Sequence, residues 1–354
     1  MHILITNLRF KQCTVDQAVF VKHSSKTLII IIVHVDDCTI AASSLALIVA
    51  FRVELSKHIE ITDLGELHWL LGIEVTCNRE ECSLALSQRS YLESIIHHFN
   101  FNDLKPVSLP MEPSMKLSSS QSPTTGADFA AMQHIPYHEA VGSLMYAALG
   151  TRPNISYAMT NISCFSSNPG MPHWDAVHHI YHYLLGMKDL RMTYGGIEKA
   201  LVGYMDVDSS MDEDHKVISG YTVLIDGGAM SWSLKKQEIV SLSTTESEYV
   251  TATHATKEAL WLRSLIAEVF SPVDGVITLF SDNQSTIVLA KDHQYHACTK
   301  HIDVHFHFIR WVIDNSKLCL IFCPTNDMVA DSLMKALLSL KVKHFTAELG
   351  LYMV

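Results

Sequence analysis

The sequence lacks the features that mark membrane-spanning and secreted proteins. Its longest run of apolar residues, Leu28 to Val33, is far shorter than the roughly 20 residues that a membrane helix needs. The amino-terminal stretch MHILITNLRFKQ has no basic start, no long apolar stretch and no small-residue cleavage site, so it does not resemble a signal peptide. We therefore expect an intracellular protein, cytoplasmic or nuclear, with no membrane partner.

Cysteine pairs at the spacing of a zinc site are also lacking. The nearest pairs, Cys77 with Cys82 and Cys319 with Cys323, have no Cys-x-x-Cys partner elsewhere. Disulfide frameworks belong to short secreted chains and zinc sites need tighter spacing, so we expect reduced thiols. The chain also has no internal repeat and no glycine-rich phosphate loop of either common spacing.

Positive charge is scarce. The 37 acidic residues outnumber the 26 basic ones and give a net charge of −11. This balance is unfavourable for a protein that holds a nucleic-acid backbone by charge alone, and it argues against a stand-alone DNA-binding module. It is compatible with an enzyme whose acidic residues hold divalent metal ions.

The remaining composition is that of a globular protein with more than one domain. Hydrophobic residues make up 48% of the chain and charged residues 18%, unlike disordered or fibrous proteins. At roughly 100 to 200 residues per domain, a chain of this length suits two or three domains.

Changes in sequence texture divide the chain into four parts. Residues 107–126 are rich in Ser, Pro, Thr and Gly and predict a flexible tether. Residues 1–106 predict strand, turn, strand, helix, strand and a following helix, whereas residues 127–198 predict a helical connector. Residues 199–354 predict three strands, a long helix, and then alternating strands and helices, which is typical of an α/β or α+β domain.

Two aspartates interrupt a strong strand pattern in the first part. The run TLIIIIVHV is rich in β-branched residues and ends at Asp36 and Asp37, after which CTIAA resumes an apolar pattern. This pattern predicts a β-hairpin that turns at the two aspartates. Helical spacing follows from Leu45 to His58, and HWLLGIEV predicts a second buried strand.

Three acidic residues of the last part lie at strands or helices. In the strand LVGYMDVD, Asp206 shares a face with Val202 and Tyr204, which favours a half-buried carboxylate, although an exposed strand-end acid fits equally well. Asp282 ends the apolar strand VITLFSD, and sites form at strand ends in open α/β sheets. Asp331 lies inside the helix of TNDMVADSLMKAL, where capping does not explain it.

The helix that begins at SLSTTESEYV offers two glutamates with different geometry. Ser243 and Glu246 fit a capping box, in which each side chain accepts a hydrogen bond from the other residue's backbone. Glu248 instead begins the stripe of a core-facing helix. The stripe continues through Ala252, Ala255, Ala259, Leu262 and Ile266. A buried carboxylate needs a cation, and no Lys or Arg is obvious nearby, so a metal ligand, a salt bridge and a rotated helix stay open.

Together, the acids at positions 206, 248, 282 and 331 suggest one metal-binding cluster. Such a cluster suits two magnesium ions roughly 3.5 to 4 Å apart. In that arrangement one ion activates water and the other stabilises the leaving oxygen of a phosphodiester.

The last part of the chain resembles the ribonuclease H domain of copia-type LTR retrotransposons. The matching strings are LVGYMDVD, ISGYTVLIDGGAMSWSLKKQ, VSLSTTESEYVTATHATKEALWL, SDNQSTIVLAK, TKHIDVHFHFIR and ADSLMK. The resemblance implies a ribonuclease H-like mixed sheet flanked by helices, and hydrolysis of the RNA strand of RNA–DNA hybrids. It further implies two ions of Mg²⁺ or Mn²⁺ on Asp206, Glu248, Asp282 and Asp331, with a supporting catalytic role for His301.

The front of the chain resembles the reverse transcriptase of the same Pol polyprotein. VHVDD matches its Tyr-x-Asp-Asp motif, with His34 in place of tyrosine, and LGELHWLLGIEV, LSQRSYLESIIHHF and VGSLMYAALGTRPNISYAM match its palm strand, next helix and connector. The resemblance implies that Asp36 and Asp37 are metal-binding acids of a truncated palm. The strand that supplies the third polymerase carboxylate is absent from this sequence. We therefore expect no DNA synthesis from this chain by itself, and we expect the remaining Pol segments and an RNA–DNA hybrid as partners.

Two other hypotheses fit parts of the sequence. A catalytically inactive retroelement remnant, acting at most as a nucleic-acid or protein binding module, is favoured by the missing polymerase core and the negative charge. A histidine-rich metal protein is indicated by His173, His178, His179 and His182 on one predicted helix. No acidic or cysteine partner is placed to complete four ligands in that helix, and the four acids favour the nuclease.

Overall fold

The computed structural model describes residues 2–353, apart from residues 25 and 104 and the segments 196–200, 209–216, 238–242, 271–274 and 292–302. The described residues form a mixed α/β structure with three β-sheets, as the sequence predicts for the fold class. The chain divides into two compact units. The first unit is Met1–Leu67 with Lys257–Gly275, and the second is His68–Thr256 with Val276–Val354.

The first unit contains a small antiparallel sheet. Its elements are helix α1 (His2–Asn7), strands β1 (Lys11–Gln12), β2 (Val19–His23), β3 (Leu28–His34) and β4 (Asp37–Ala42), and helix α2 (Leu45–Ser56). The strands are ordered β1-β2-β3-β4. Burial alternates along β3, so that Ile29, Ile31 and Val33 face a core shared with Phe20 and Phe51. This alternation is typical of a sheet that is covered on one face.

The β-hairpin predicted at the two aspartates is confirmed. Strands β3 and β4 pair in antiparallel register up to His34 and Asp37, and Val35 and Asp36 make the turn. The helical spacing predicted from Leu45 is confirmed as α2.

A second antiparallel sheet belongs to the second unit and joins distant parts of the chain. Its strands are β5 (Trp69–Leu70), β6 (Ile73–Asn78), β7 (Ser83–Ser87), β8 (Leu190–Tyr194) and β14 (Leu351–Met353). They are ordered β14-β8-β7-β6-β5, so the last strand of the chain pairs with β8.

The prediction that HWLLGIEV forms one buried strand is wrong. The segment forms the hairpin of β5 and β6, with Leu71 and Gly72 in the turn at φ values of +49° and +76°. Glycine adopts this left-handed conformation without steric cost, so Gly72 ends the first strand. Among the residues of β5 and β6, Val75 alone is buried.

Helices form a core of their own in the second unit. They are α3 (Arg89–His98), α4 (Gly126–Met132), α5 (Tyr137–Gly150), α6 (Ser156–Ser163) and α7 (Met171–Gly186). Helices α5, α6 and α7 occupy the three helical segments that the sequence predicts for the connector. In the described part of the chain, no helix combines the length and the apolar character needed to cross a membrane.

Residues 107–126, predicted to be a flexible tether, pack instead against these helices. Leu109 and Met111 are 6% and 3% exposed. The Ser118 carbonyl lies 3.2 Å from Nε2 of the buried His173 on α7. The few apolar residues in this polar stretch therefore fasten it to the helical core. The two compact units also follow other boundaries than the predicted ones after residues 106, 126 and 198.

The third sheet is mixed and also belongs to the second unit. Its strands are β9 (Val202–Asp208), β10 (Ile218–Ile225), β11 (Gly228–Lys236), β12 (Ile277–Ser281) and β13 (Leu318–Phe322). They are ordered β11-β10-β9-β12-β13. Strands β9, β10 and β11 are antiparallel, whereas β12 runs parallel to both β9 and β13.

Further helices follow in the carboxyl-terminal part of the chain. They are α8 (Thr244–Val269), α9 (Gln284–Lys291), α10 (Asp303–Asp314), α11 (Asp331–Met334) and α12 (Ser339–Glu348). The predicted order of three strands and a long helix is confirmed. The strict alternation predicted after it is not, because α9 and α10 both lie between β12 and β13, and α11 and α12 both lie between β13 and β14. The residues of α8 up to Thr256 belong to the second unit and the rest to the first.

Candidate metal centre

Asp206 lies near the end of β9, in the middle of the third sheet. Its backbone pairs with Gly220 of β10, and the residue is only 2% exposed. The carboxylate, predicted to be half-buried, is fully buried, and the alternative of a solvent-exposed strand end is wrong. Successive residues of β9 from Met205 to Asp208 are all buried, so both faces of the strand are covered at this end.

Strand β12 brings Asp282 to the same end of the sheet. Phe280 of β12 is in parallel register with Tyr204 of β9, and each aspartate follows two residues later. Because parallel strands end at the same edge, the two carboxylates become neighbours. The Thr325 hydroxyl donates a hydrogen bond of 3.0 Å to Oδ2 of Asp282 and orients it.

Helix α8 supplies the third carboxylate, that of Glu248, near the start of the helix. Glu248 is 6% exposed, and the alanines that continue its stripe, Ala252, Ala255 and Ala259, are fully buried. The predicted core-facing stripe is therefore confirmed, and a rotated helix is excluded. The backbone N–H of Glu246 donates to Oγ of Ser243 at 3.2 Å, which is half of the predicted capping box.

The three carboxylates converge. One oxygen each of Asp206, Glu248 and Asp282 lies within 4.8 Å of the others. Hard divalent cations such as Mg²⁺ prefer carboxylate oxygens as ligands. The donor set and its spacing therefore fit a divalent cation.

Asp331 joins this group from the first turn of α11. It is 2% exposed and shares a hydrogen bond with Asp206. Nζ of Lys335 lies 3.0 Å from Oδ2 of Asp206 and 3.0 Å from Oδ1 of Asp331, and it bridges the two carboxylates. Three of the four acids predicted from the sequence thus converge, and the fourth, Asp331, is linked to Asp206 through Lys335.

The electrostatics of the group favour added positive charge. Burial raises the pKa of Glu248 to about 9, and the neighbouring carboxylates of Asp206 and Asp282 add to the rise. Burial and the hydrogen bond with Asp331 raise the pKa of Asp206 to about 6, against the opposing charge of Lys335. Oε2 of Glu248 is buried and has no hydrogen-bond partner in the described structure. A buried carboxylate oxygen without a hydrogen-bond partner is available to coordinate a cation.

The sequence does not predict Lys335 as a partner of the acids, because this lysine is distant from Glu248 along the chain and lies directly after α11. The available signal is its spacing of four residues from Asp331, with which it forms an ion pair although its own backbone is extended.

The other predicted site residues lie elsewhere. Asp36 and Asp37 are exposed at the hairpin turn of the first unit, and among the described residues they belong to no group of three metal-ligating side chains. His301 lies outside the described residues.

The histidines of α7 form no metal site in the described structure either. Nδ1 of His173 accepts a hydrogen bond from the Gly170 N–H at 2.8 Å, and the ring stacks on Phe165. His182 is held by a contact of 2.6 Å between Nδ1 and the Lys105 carbonyl. These rings therefore serve local packing and capping.

Residues 1–113 match the family model described as reverse transcriptase (RNA-dependent DNA polymerase). One relative is the retrovirus-related Pol polyprotein from transposon TNT 1-94 of Nicotiana tabacum, 40% identical over 89% of this chain and 24% of that protein. Another is the Pol polyprotein from transposon RE1 of Arabidopsis thaliana, 33% identical over 98% of this chain and 23% of that protein. The chain thus spans about a quarter of the length of these relatives.

Among solved structures, the chain is similar to LC11-RNase H1 in complex with RNA/DNA hybrid. The likeness covers 38% of this chain and 92% of that chain, with 14% identity and a TM-score of 0.30. The match to the reverse-transcriptase family and the similarity to the two Pol polyproteins over most of the chain identify the family. The chain belongs to the Pol polyproteins of copia-type retrotransposons.

Proposed function

We propose that this chain is a retrotransposon-derived nuclease. Its carboxyl-terminal part, residues 199–354, would have a ribonuclease H-like fold and hydrolyse the RNA strand of RNA–DNA hybrids. The observation that carries the proposal is the convergence of one oxygen each of Asp206, Glu248 and Asp282 within 4.8 Å, in a group whose Glu248 also has a buried oxygen without a hydrogen-bond partner in the described structure. A cluster of acids that is buried rather than solvated needs a cation, and divalent ions serve phosphodiester hydrolysis.

Each acid has a distinct position in this proposal. Asp206 converges with Glu248 and Asp282 and is linked to Asp331 through Lys335, so it would be the ligand common to both metal positions. Glu248 and Asp282 would complete the first position, and Asp331 would contribute to the second. Two ions of Mg²⁺ or Mn²⁺, when bound, would activate a water molecule and stabilise the leaving oxygen. The Thr325 hydroxyl keeps the Asp282 carboxylate oriented toward the cluster.

The polymerase activity of the family is, in our proposal, lost from this chain by itself. Asp36 and Asp37 are exposed on their hairpin, with no third metal-ligating side chain grouped with them in the described structure. A primer-extension assay with a primed RNA template should show no product. Extension of the primer by the purified chain would contradict this part of the proposal.

The partners follow from the same reasoning. The substrate is an RNA–DNA hybrid, and further Pol segments are proposed partners because the relatives are about four times longer than the chain. We place the protein inside the cell, in the cytoplasm or nucleus.

A cleavage assay tests the nuclease. The full chain is incubated with Mg²⁺ and a hybrid whose RNA and DNA strands carry different labels. We expect cleavage of the RNA strand alone, and at least about a 100-fold loss in Asp206→Asn, because a metal ligand contributes several kcal/mol to the transition state. Asp327→Asn, an exposed aspartate four residues before Asp331, is the matched control and should keep the activity.

The same assay distinguishes the nuclease from an inactive remnant. If the wild type and Asp206→Asn are equally inert while both are folded, the enzymatic proposal fails. The chain would then be at most a binding module.

A further inference from the structure

Lys335 places a positive charge inside the acid group. Its Nζ atom lies 3.0 Å from Oδ2 of Asp206 and 3.0 Å from Oδ1 of Asp331. The side chains of both aspartates are 3% exposed, whereas that of Lys335 is 36% exposed. The ammonium group therefore closes one side of the cluster, between buried carboxylates and solvent.

Two carboxylates that share one ammonium group have their charge partly compensated without a metal. If Asp206 and Asp331 held a second divalent ion, it would need the oxygens that Lys335 contacts. The other group of acids, Asp206, Glu248 and Asp282, includes Glu248, whose Oε2 has no partner in the described structure. Lys335 thus contacts the side of the cluster formed by Asp206 and Asp331, whereas Glu248, on the other side, has an oxygen without a partner in the described structure.

We propose that Lys335 is a built-in cation that competes with the second divalent ion. One ion binds tightly to Asp206, Glu248 and Asp282, and a second binds between Asp206 and Asp331 only when the lysine leaves. Lys335 is then a positioning residue that sets the metal concentration at which the two-ion state forms. This inference rests on the proposed function, because it presumes that the acid cluster holds divalent ions.

The local structure allows the lysine to leave. Lys335 follows the last residue of α11 and has an extended backbone, with φ −139° and ψ 148°. Its side chain is long and flexible, and its strongly hydrated ammonium group gains water when it turns outward. Lys335 is also partly exposed, so its ammonium group reaches solvent when the side chain turns away from the acids.

Calorimetric titration of the metal-free full chain with Mn²⁺ tests the competition. We expect the wild type to bind one ion tightly and a second much more weakly. Lys335→Met should tighten the binding of the second Mn²⁺ ion by at least about tenfold. In the wild type, Lys335 leaves the second site free for only a fraction of the time, and the apparent affinity for Mn²⁺ is reduced by that fraction. Lys335→Arg keeps the charge and should behave as the wild type. Lys341→Met, which removes a half-buried lysine bonded to Asn326, is the matched control.

A purely structural ion pair would give another result. Removing it would lower the melting temperature of the metal-free protein and leave the number and affinity of the Mn²⁺ sites unchanged, which overturns the proposal. Should Lys335→Met fail to fold, Lys335→Gln removes the charge and keeps a hydrogen-bond donor, and the same tightening is expected.

The failures of the two proposals are distinguishable. A folded wild type that binds no Mn²⁺ overturns the proposed function, and the competition with it. A wild type that binds two ions with equal affinity, unchanged in Lys335→Met, overturns the role of Lys335 and leaves the metal site intact.

Discussion

At the scale of single residues, Glu248 shows how strongly burial changes a carboxyl group. Its pKa rises from 4.5 to about 9, chiefly through burial. The folded protein therefore keeps a proton where the unfolded chain releases it. Glu248 stabilises the metal-free fold fully below pH 4.5, and this contribution is lost as the pH rises toward about 9.

This linkage predicts how a neutral substitute behaves. Glu248→Gln carries no charge at any pH, so the variant should not share the loss of stability. In the presence of a chelator, the urea midpoint of Glu248→Gln should match that of the wild type near pH 4.5 and exceed it near pH 9. An identical pH dependence of both proteins would show that Glu248 titrates normally.

Sequence reasoning located the acids at this scale but not the lysine. Two patterns distinguish Glu248 from Glu246: the capping box assigns Glu246 to the helix start, and the stripe of small and apolar residues puts Glu248 on the buried face. Lys335 contacts Asp206 across 129 positions of sequence, and no local pattern reports such a contact.

At the scale of elements, the close packing of α11 on β10 holds Asp331 in place. Gly220 of β10 lies opposite Asp206, and a Cβ atom there would collide with Sδ of Met334 and lie 3.1 Å from its Cγ. Met334 is fully buried, so it has little room to move. The glycine is needed for this close approach of helix and strand.

We expect Gly220→Ala to displace α11 together with Asp331 and Lys335. The expected loss of stability is about 1 to 3 kcal/mol in urea unfolding, as for overpacked cores. Gly142→Ala is the control. Gly142 lies in α5 with nothing near its Cβ position, and alanine there should add up to about 1 kcal/mol. Equal stability of Gly220→Ala and the wild type would contradict the packing argument.

The elements also show where sequence patterns reach their limit. The β3–β4 hairpin and α2 follow from local alternation and helical spacing, and both were predicted. The pairing of β12 with β9, which sets Asp282 beside Asp206, depends on a parallel register between distant segments. The sequence predicts that an acid, Asp282, ends this strand, but it does not predict that β12 pairs with β9.

At the scale of the molecule, the carboxyl-terminal part is not separate from what precedes it. Strand β14 pairs with β8, and Leu351 packs with Leu190 and Phe345 in a common core. The predicted boundary after residue 198 passes between β8 and β9. Long-range strand pairing leaves no local signal, which is why composition alone suggested an independent last part.

Residues 199–354 expressed alone should therefore be less stable than the full chain. The fragment lacks the partner strand of β14 and exposes the buried side of Leu351, which costs on the order of 2 to 3 kcal/mol for one large apolar side chain. Chemical denaturation followed by far-ultraviolet circular dichroism measures the difference. A fragment that unfolds at the same denaturant concentration as the full chain would support an independent domain.

If the buried acid cluster carries the chemistry of this chain, the two glutamates at the start of α8 should differ sharply in their effect on cleavage. The single-turnover rate of RNA-strand cleavage in a hybrid is measured for the wild type, Glu248→Gln and Glu246→Gln under Mg²⁺. Glutamine also serves in a capping box, so Glu246→Gln should cleave at a rate close to that of the wild type. Glu248→Gln should be slower by at least about 100-fold. Equal cleavage rates for the two variants would show that Glu248 has no special part in the reaction and would contradict the assignment of the chemistry to the acid cluster.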